Sequence, residues 1–207
     1  MIIKNTKELI WKEALNLFSE HGYEGVSVKE IAKAVGIKDS SLYNHYQSKQ
    51  EIFDTILVQV TDRLKNANNT YVFPITTETI KEYENTDVQE LAQRYIDLFE
   101  FYLQDDIASK FRKMLVIEQY SSPRAAELFN EIFIDMPLNY ITILFTVLIQ
   151  KGKFIHTDAY IMALNFYSPL FLLLFKSDSA TTEFEQLKSM LTNHIEVFIQ
   201  NHGNIEK

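Results

Sequence analysis

Three helix-start signals fall inside the first fifty residues and leave that stretch few ways to fold. Asn5 or Thr6 opens the first, with Glu8 three residues after Asn5; Ser27 precedes Glu30 and Ser48 precedes Glu51 by the same three. A Ser, Thr or Asn side chain there accepts a hydrogen bond from the backbone three residues on, and the acid reaches back, so donors left free by a helix start are satisfied. Apolar residues follow each cap at helical spacing: Ile10, Trp11, Ala14, Leu15, Leu17 and Phe18; then Ile31, Ala32 and Val35; then Ile52, Phe53, Ile56, Leu57 and Val60. Gly22 and Gly36 stand where the first two helices must stop, Gly36 with an expected positive φ. Between Gly36 and Ser48 there is room for one short helix, from about Asp39 to His45, with Ile37 buried in the turn before it. Leu42 and Tyr46 lie on one face of that helix. Two short helices about a glycine-containing turn, braced by a helix on each side, form a helix-turn-helix.

Beyond residue 67 the periodicity lapses. Asn66 to Asp87 is polar and Thr-rich with Pro74 inside it, and reads as a connector with at most a short helical stretch. With Asp87 as cap, Val88, Leu91, Tyr95, Leu98, Phe99 and Tyr102 restore a helical face. Further helices are predicted near 106–120, 124–136, 138–151, 158–176 and 181–201. Pro123 and Pro137 suit boundaries, Gly152 a stop and Thr157 a cap. Only five glycines and four prolines punctuate 207 residues, so the expected fold is all-α: an N-terminal three-helix helix-turn-helix DNA-binding domain, residues 1–48, plus a C-terminal helical domain, residues 49–207.

The net charge of −8 looks unsuited to a DNA binder until it is divided. Residues 1–50 hold seven lysines against six acids, a sum of +1; the rest holds 13 bases against 22 acids, a sum of −9. Attraction to a duplex follows the local field, not the total.

The segment from Ile10 to Phe53 resembles the N-terminal domain of TetR-type repressors. The resemblance rests on Leu17-Phe18, Gly22-Tyr23, Ser27-Val28, Ile31-Ala32, Gly36-Ile37, Leu42-Tyr43, His45-Tyr46 and Ser48-Lys49. It implies a homodimer that sets two recognition helices in successive major grooves of a (pseudo)palindromic double-stranded operator. It also implies a C-terminal domain that dimerises and encloses a small-molecule effector, whose binding respaces the reading heads and releases the DNA. Two departures stand out: the family usually has Ser where this chain has Lys38, and often Gly where it has Ser40. Lys38 has no side-chain acceptor for a cap, so Asp39 or Ser40 is expected to cap instead and to shift the helix start by a residue.

The expected DNA-binding residues are Ser27, Val28, Lys38, Asp39, Ser40, Ser41, Tyr43, Asn44, His45 and Lys49. Ser27 and Lys49 sit at helix starts, where free N–H groups and partial positive charge suit phosphate. Ser41 and Asn44 can meet base edges, and Asn suits adenine. Residues 1–62 contain no arginine, so the commonest guanine contact is missing and an A·T-rich operator follows.

Tyr95, Phe99, Tyr102, Phe111, Met114, Phe129, Phe133, Tyr140 and Phe166 are the candidate lining of a pocket for an apolar or aromatic ligand. Ala159–Phe175 is apolar nearly all round, and at 17 residues falls short of the roughly 20 that a membrane span needs. With the last helix it is expected to build a dimer interface from Tyr160, Leu164, Tyr167, Phe171, Leu174, Leu187, Leu191, Ile195 and Phe198.

The chain has no cysteine, which excludes thiol catalysis, disulfides and Cys-based zinc sites and suits a reducing cytoplasm. Its five histidines (21, 45, 156, 194 and 202) are scattered, and no HExxH, nucleophile elbow or phosphate loop is present. No enzyme, cofactor, metal or membrane is expected. The rival reading is a helical ligand- or partner-binding protein with a degenerate DNA-binding domain.

Overall fold

The computed structural model describes residues 5–71, 76–178 and 183–204. Among them are eleven α-helices: α1 (Thr6–His21), α2 (Val28–Val35), α3 (Asp39–Leu42), α4 (Lys49–Tyr71), α5 (Thr77–Asn85), α6 (Val88–Gln104), α7 (Asp106–Glu118), α8 (Pro123–Asn130), α9 (Met136–Gln150), α10 (Ala159–Ser177) and α11 (Phe184–His202). A π-helical turn, Glu131–Asp135, joins α8 to α9. The only β pairing among the described residues is a single bridge between Phe154 and Gly203.

The expected connector is largely helical. α4 runs on to Tyr71 and α5 fills Thr77–Asn85. The sequence signal failed there because α4 has no buried residue after Leu64, so nothing apolar marks its last two turns. Pro74 lies outside the described residues, as do 181 and 182 at the expected start of the last helix.

The chain forms two compact units, Met1–Lys65 with Asp106–Phe129, and Asn66–Asp105 with Asn130–Lys207. This division by packing differs from the boundary expected from the sequence at residue 48, because two helices from the middle of the chain complete the first unit. There α1 packs on α7. Ile10, Ala14, Leu15 and Phe18 of α1 and Ala108, Phe111, Met114 and Leu115 of α7 are all buried. Each of the large side chains contributes about 1.5–3 kcal/mol by leaving water.

In the second unit α10 packs on α9 and α11, and α6 packs on both α10 and α11. α10 is long and apolar enough to cross a membrane, as is Pro123–Gln150. Seven α10 residues, Met162, Ala163, Phe166, Tyr167, Leu170, Leu173 and Leu174, are buried within the unit. That is how a core helix of a globular protein uses its apolar residues.

Candidate nucleic-acid interface and ligand cavity

The caps of α1, α2 and α4 form much as the sequence predicts, whereas α10 is capped by Asp158 and not by Thr157. The Asn5 side chain accepts from Glu8 N–H at 3.3 Å. Ser27 and Glu30 form a full capping box: Ser27 Oγ accepts from Glu30 N–H, while the Glu30 carboxylate accepts both Ser27 N–H and its hydroxyl at 2.7 Å. Those two bonds hold the Glu30 carboxyl below the usual carboxylate range. At α4 the box is shifted by one: Ser48 Oγ accepts from Glu51 N–H at 3.1 Å, but the Glu51 carboxylate takes Gln47 N–H at 2.6 Å.

Gly36 ends α2 at φ 78° in the left-handed region. Its N–H donates to Lys33 O, and Ile37 N–H donates to Ala32 O at 3.0 Å, the paired bonds of a Schellman end. The chain then turns directly into α3. Lys38 occupies the N-cap without a side-chain bond, so the helix start is not shifted to Asp39 or Ser40: the Lys38 carbonyl already accepts Ser41 and Leu42 N–H, at 2.9 and 3.2 Å. The α-helix itself is only Asp39–Leu42, and His45 and Tyr46 N–H then close a further turn on Leu42 O, at 2.9 and 3.1 Å.

Leu42 and Tyr46 are buried, and the Tyr46 hydroxyl donates to Lys7 O at 3.1 Å. Lys38, Asp39, Ser40, Tyr43 and Asn44 face solvent; Val28, Ser41 and His45 are half-buried, as is Ile37, which was expected to be buried outright. This is a short rod anchored on one side and polar on the other. Lys7, whose ammonium lies 5.0 Å from the centre of the Tyr46 ring, is an exposed cation beside the rod that sequence reasoning missed. Only the tertiary contact with Tyr46 puts it there.

Lys49 is placed differently from a solvated cation. Its ammonium donates to Tyr23 O at 2.8 Å and to Val26 O at 3.0 Å and lies 4.1 Å from the centre of the Tyr23 ring. It therefore ties α4 to the loop between α1 and α2. Tyr23 also packs on Phe18 and Phe53, with ring centroids 5.5 and 5.1 Å away. Burial, with Glu24, Asp54 and Glu118 nearby, pushes its phenol above the ordinary value. Tyr23 N–H donates to the carboxylate of Glu118, the last residue of α7, at 2.7 Å.

In the second unit α6, α9, α10 and the π-helical turn line a partly open cavity of about 620 Å³, counting the solvent at its mouth. Tyr95, Phe99, Tyr102, Phe133 and Tyr140 of the expected set line it, and sequence reasoning missed Tyr167, Asn68 and Met136. Phe166 lines a separate apolar crevice. Phe111, Met114 and Phe129 are packed into the first unit and lie outside the lining. An amphipathic helix has the same period whether its apolar face meets a cavity or another helix, so the sequence could not separate them.

Two of the lining hydroxyls serve the fold. Pro137 has no N–H to donate to the carbonyl four residues back; the Tyr167 hydroxyl donates to that carbonyl, Phe133 O, at 2.8 Å. The Tyr102 hydroxyl donates to Asn68 Oδ1 at 3.3 Å. The Tyr95 hydroxyl is enclosed and has no partner among the described residues, and burial, with Tyr83 and Tyr140 nearby, holds it well above the usual phenol range.

Of the expected interface residues, Tyr167, Leu174, Leu187, Leu191, Ile195 and Phe198 are buried inside the single chain, and Phe171 is half-buried. Tyr160 is 50% exposed and Leu164 38%. On α10 and α11 the exposed large apolar residues are those two with Ile161, Leu172, Met190 and Val197. The helices turn one apolar side inward and leave a second stripe outside, which a nearly all-apolar sequence cannot sort.

Comparison with known proteins agrees with this layout. Residues 10–56 match the bacterial regulatory proteins of the tetR family. The biofilm operon negative transcriptional regulator IcaR of Staphylococcus aureus is 34% identical over 110 residues. That match spans 53% of this chain, and the chain spans about half, 52%, of IcaR's length. The ketosteroid transcriptional regulator KstR2 of Mycobacterium tuberculosis shares the fold at TM-score 0.68 and 17% identity, over 99% of this chain and 98% of that one. A proposed transcriptional regulator from Saccharomonospora viridis in complex with choline does so at 0.68 and 19%, over 96% and 98%.

Proposed function

We propose that this chain, which belongs to the tetR family of bacterial regulatory proteins, is a dimeric repressor that leaves its operator when a small apolar effector fills the cavity. The observation that carries the reading is the short rod Asp39–Tyr46. It is fixed by buried Leu42 and Tyr46 and presents Ser40, Tyr43 and Asn44 to solvent, which is what a recognition helix needs in order to lie in a major groove.

Ser41 and Asn44 read base edges. Lys38, Tyr43 and His45 meet phosphate, and the N-terminus of α2 at Ser27 and Val28 offers backbone N–H groups to another phosphate. Lys49 acts through the loop that it holds. Asp39 sits at the groove's edge, where it repels phosphate and narrows the usable register. With no arginine before residue 63, base readout falls to Ser, Asn and thymine-methyl contacts, and the operator is A·T-rich. Residues 1–48 serve as the reading head and residues 49–207 as the effector and dimer part, working in the cytoplasm.

One head offers few cations, so affinity comes from two linked half-sites. The second copy covers the outward stripe of Tyr160, Ile161, Leu164 and Leu172 on α10 with Met190 and Val197 on α11. Effector binding in the second unit changes the spacing of the two heads. The fold relatives are too distant in sequence to pass on their ligands.

The test is a mobility-shift titration with the DNA flanking the chain's own gene, together with selection from random duplexes. Binding that falls at least tenfold in Tyr43→Ala and Asn44→Ala supports the reading. Indifference to every duplex at low salt overturns it in favour of a ligand-binding protein with a degenerate head, for which exposed Asp39 speaks. A strict G·C core would overturn the A·T preference alone.

A further inference from the structure

Buried hydroxyls almost always have partners, because an unpaired one keeps the cost of leaving water and gains nothing in return. The cavity of the second unit has three buried tyrosines in its lining, and they are not alike. The hydroxyls of Tyr102 and Tyr167 donate to oxygens of the protein, Asn68 Oδ1 and Phe133 O. The hydroxyl of Tyr95 has no partner among the described residues, although the residue is 94% buried and its ring is held edge-on to Phe166, with centroids 5.8 Å apart. Tyr140, which acts on it electrostatically, is another wall of the same cavity.

We propose that the Tyr95 hydroxyl is the polar anchor of the cavity, and that its ligand is an uncharged, flat, largely apolar molecule presenting one hydrogen-bond acceptor, such as a ketone or ether oxygen, to that hydroxyl. This rests on the cavity being the effector site.

Three features exclude other classes. None of the fourteen lining residues carries a formal charge, and Asn68 supplies the only amide, so a carboxylate or phosphate would be buried without a counter-charge. A cation would be in the same position, and the ring faces would offset only part of its lost hydration. The rings of Tyr95, Phe99, Tyr102, Phe133, Tyr140 and Tyr167 make up much of the wall, and ring faces and edges favour an aromatic ligand through stacked and edge-on contacts. A ligand with no polar atom would make those contacts and still leave the Tyr95 hydroxyl unpaired. Specificity then comes from the single hydrogen bond, since a donor built to meet an acceptor rejects the analogue that lacks one.

The experiment uses four probes of one shape with the full-length protein: 2-acetylnaphthalene (neutral, with an acceptor), 2-ethylnaphthalene (neutral, without one), 2-naphthoate (anion) and trimethyl(2-naphthyl)ammonium (cation). Kd is measured by calorimetry and Tm by thermal melting, for the natural chain and for Tyr95→Phe. The ketone is expected to bind tightest, about twofold to tenfold better than the hydrocarbon, which is the range of one hydrogen bond. Tyr95→Phe should erase that preference by weakening the ketone alone. The unliganded variant should melt no lower than the natural chain, and about 2–12 °C higher if the whole cost of the unpaired hydroxyl is relieved.

A purely structural tyrosine would behave otherwise: its loss would lower Tm and weaken both neutral probes together, and that result overturns the proposal. Tightest binding of either ion also overturns it, while leaving the cavity as the effector site. Failure of all four probes to bind or to raise Tm removes the cavity reading itself.

Discussion

Replacing Lys49 by Gln asks whether this residue holds DNA or holds the protein. In the structure its ammonium has two carbonyl partners, at 2.8 and 3.0 Å, and a tyrosine ring at 4.1 Å. A hydrogen bond from a charged group contributes about 1.5–3 kcal/mol net when buried. Lys49 is only half-buried, so the lower end applies to each bond. The ring adds about 0.5 kcal/mol, and fixing the lysine's rotamers costs about 1.5–2 kcal/mol. The balance is a stabilisation of about 2 kcal/mol, which at about 2–4 °C per kcal/mol for a chain of this size is a fall in Tm of about 4–8 °C. Operator affinity should also fall, because the loop before α2 loses its tie. The slope of log K against log salt should stay the same, since no phosphate contact is removed. Melting curves and operator titrations at four or more salt concentrations give both quantities. An unchanged Tm together with a slope reduced by about 1, the signature of one lost phosphate contact, would refute the clamp and make Lys49 a phosphate ligand.

Other perturbations separate effects that look alike in sequence. Gly22 and Gly36 both have positive φ, but a Cβ on Gly36 meets nothing within 4 Å, whereas one on Gly22 comes to 3.2 Å from Glu118 and Ile117. Gly22 also has ψ 168°, a combination essentially confined to glycine. Gly36→Ala should cost about 1 kcal/mol and Gly22→Ala about 3 kcal/mol by denaturant titration; equal losses would count against the packing at Glu118. Ser27→Ala should cost about 1 kcal/mol at pH 7 by the same measurement. The folded-state pKa of its partner Glu30 is depressed from 4.5, so the stability this carboxylate adds is fully present above 4.5 and is lost as pH falls through the lower folded value. The difference between the natural chain and Glu30→Gln should therefore shrink below pH 4.5, and a difference that grows there would contradict the box. Leu172 is 66% exposed and Leu191 fully buried. Leu172→Glu should shift sedimentation from dimer to monomer with little change in protomer stability, whereas Leu191→Ala should cost about 2–5 kcal/mol. A Leu172→Glu protein that stays dimeric would move the interface elsewhere.

Much of the N-terminal helix-turn-helix was legible in the sequence, because its signals are local. A cap at Ser27 binds Glu30 three residues on, Gly36 takes a backbone shape few other residues tolerate, and Leu42 and Tyr46 are one turn apart. Such features act within a few residues, so their order along the chain is nearly their order in space. The second unit was legible only as helices. The tail of α4 lacked an apolar face and passed for a connector, and Phe111 and Tyr95 had equal claims as aromatic residues on helical faces. Only packing decided that Phe111 fills a core against α1 while Tyr95 walls a cavity, and that Leu191 points inward while Leu172 points out. It also decided the fate of Lys49, whose partners Tyr23 and Val26 precede it by 26 and 23 residues, and of Glu118, 95 residues beyond the N–H that it accepts. The amino-acid order by itself determined where helices begin, end and turn, since those are short-range balances of caps, backbone freedom and period. Which face of each helix meets protein, cavity or solvent was decided by the tertiary structure, because burial depends on what arrives from elsewhere in the chain.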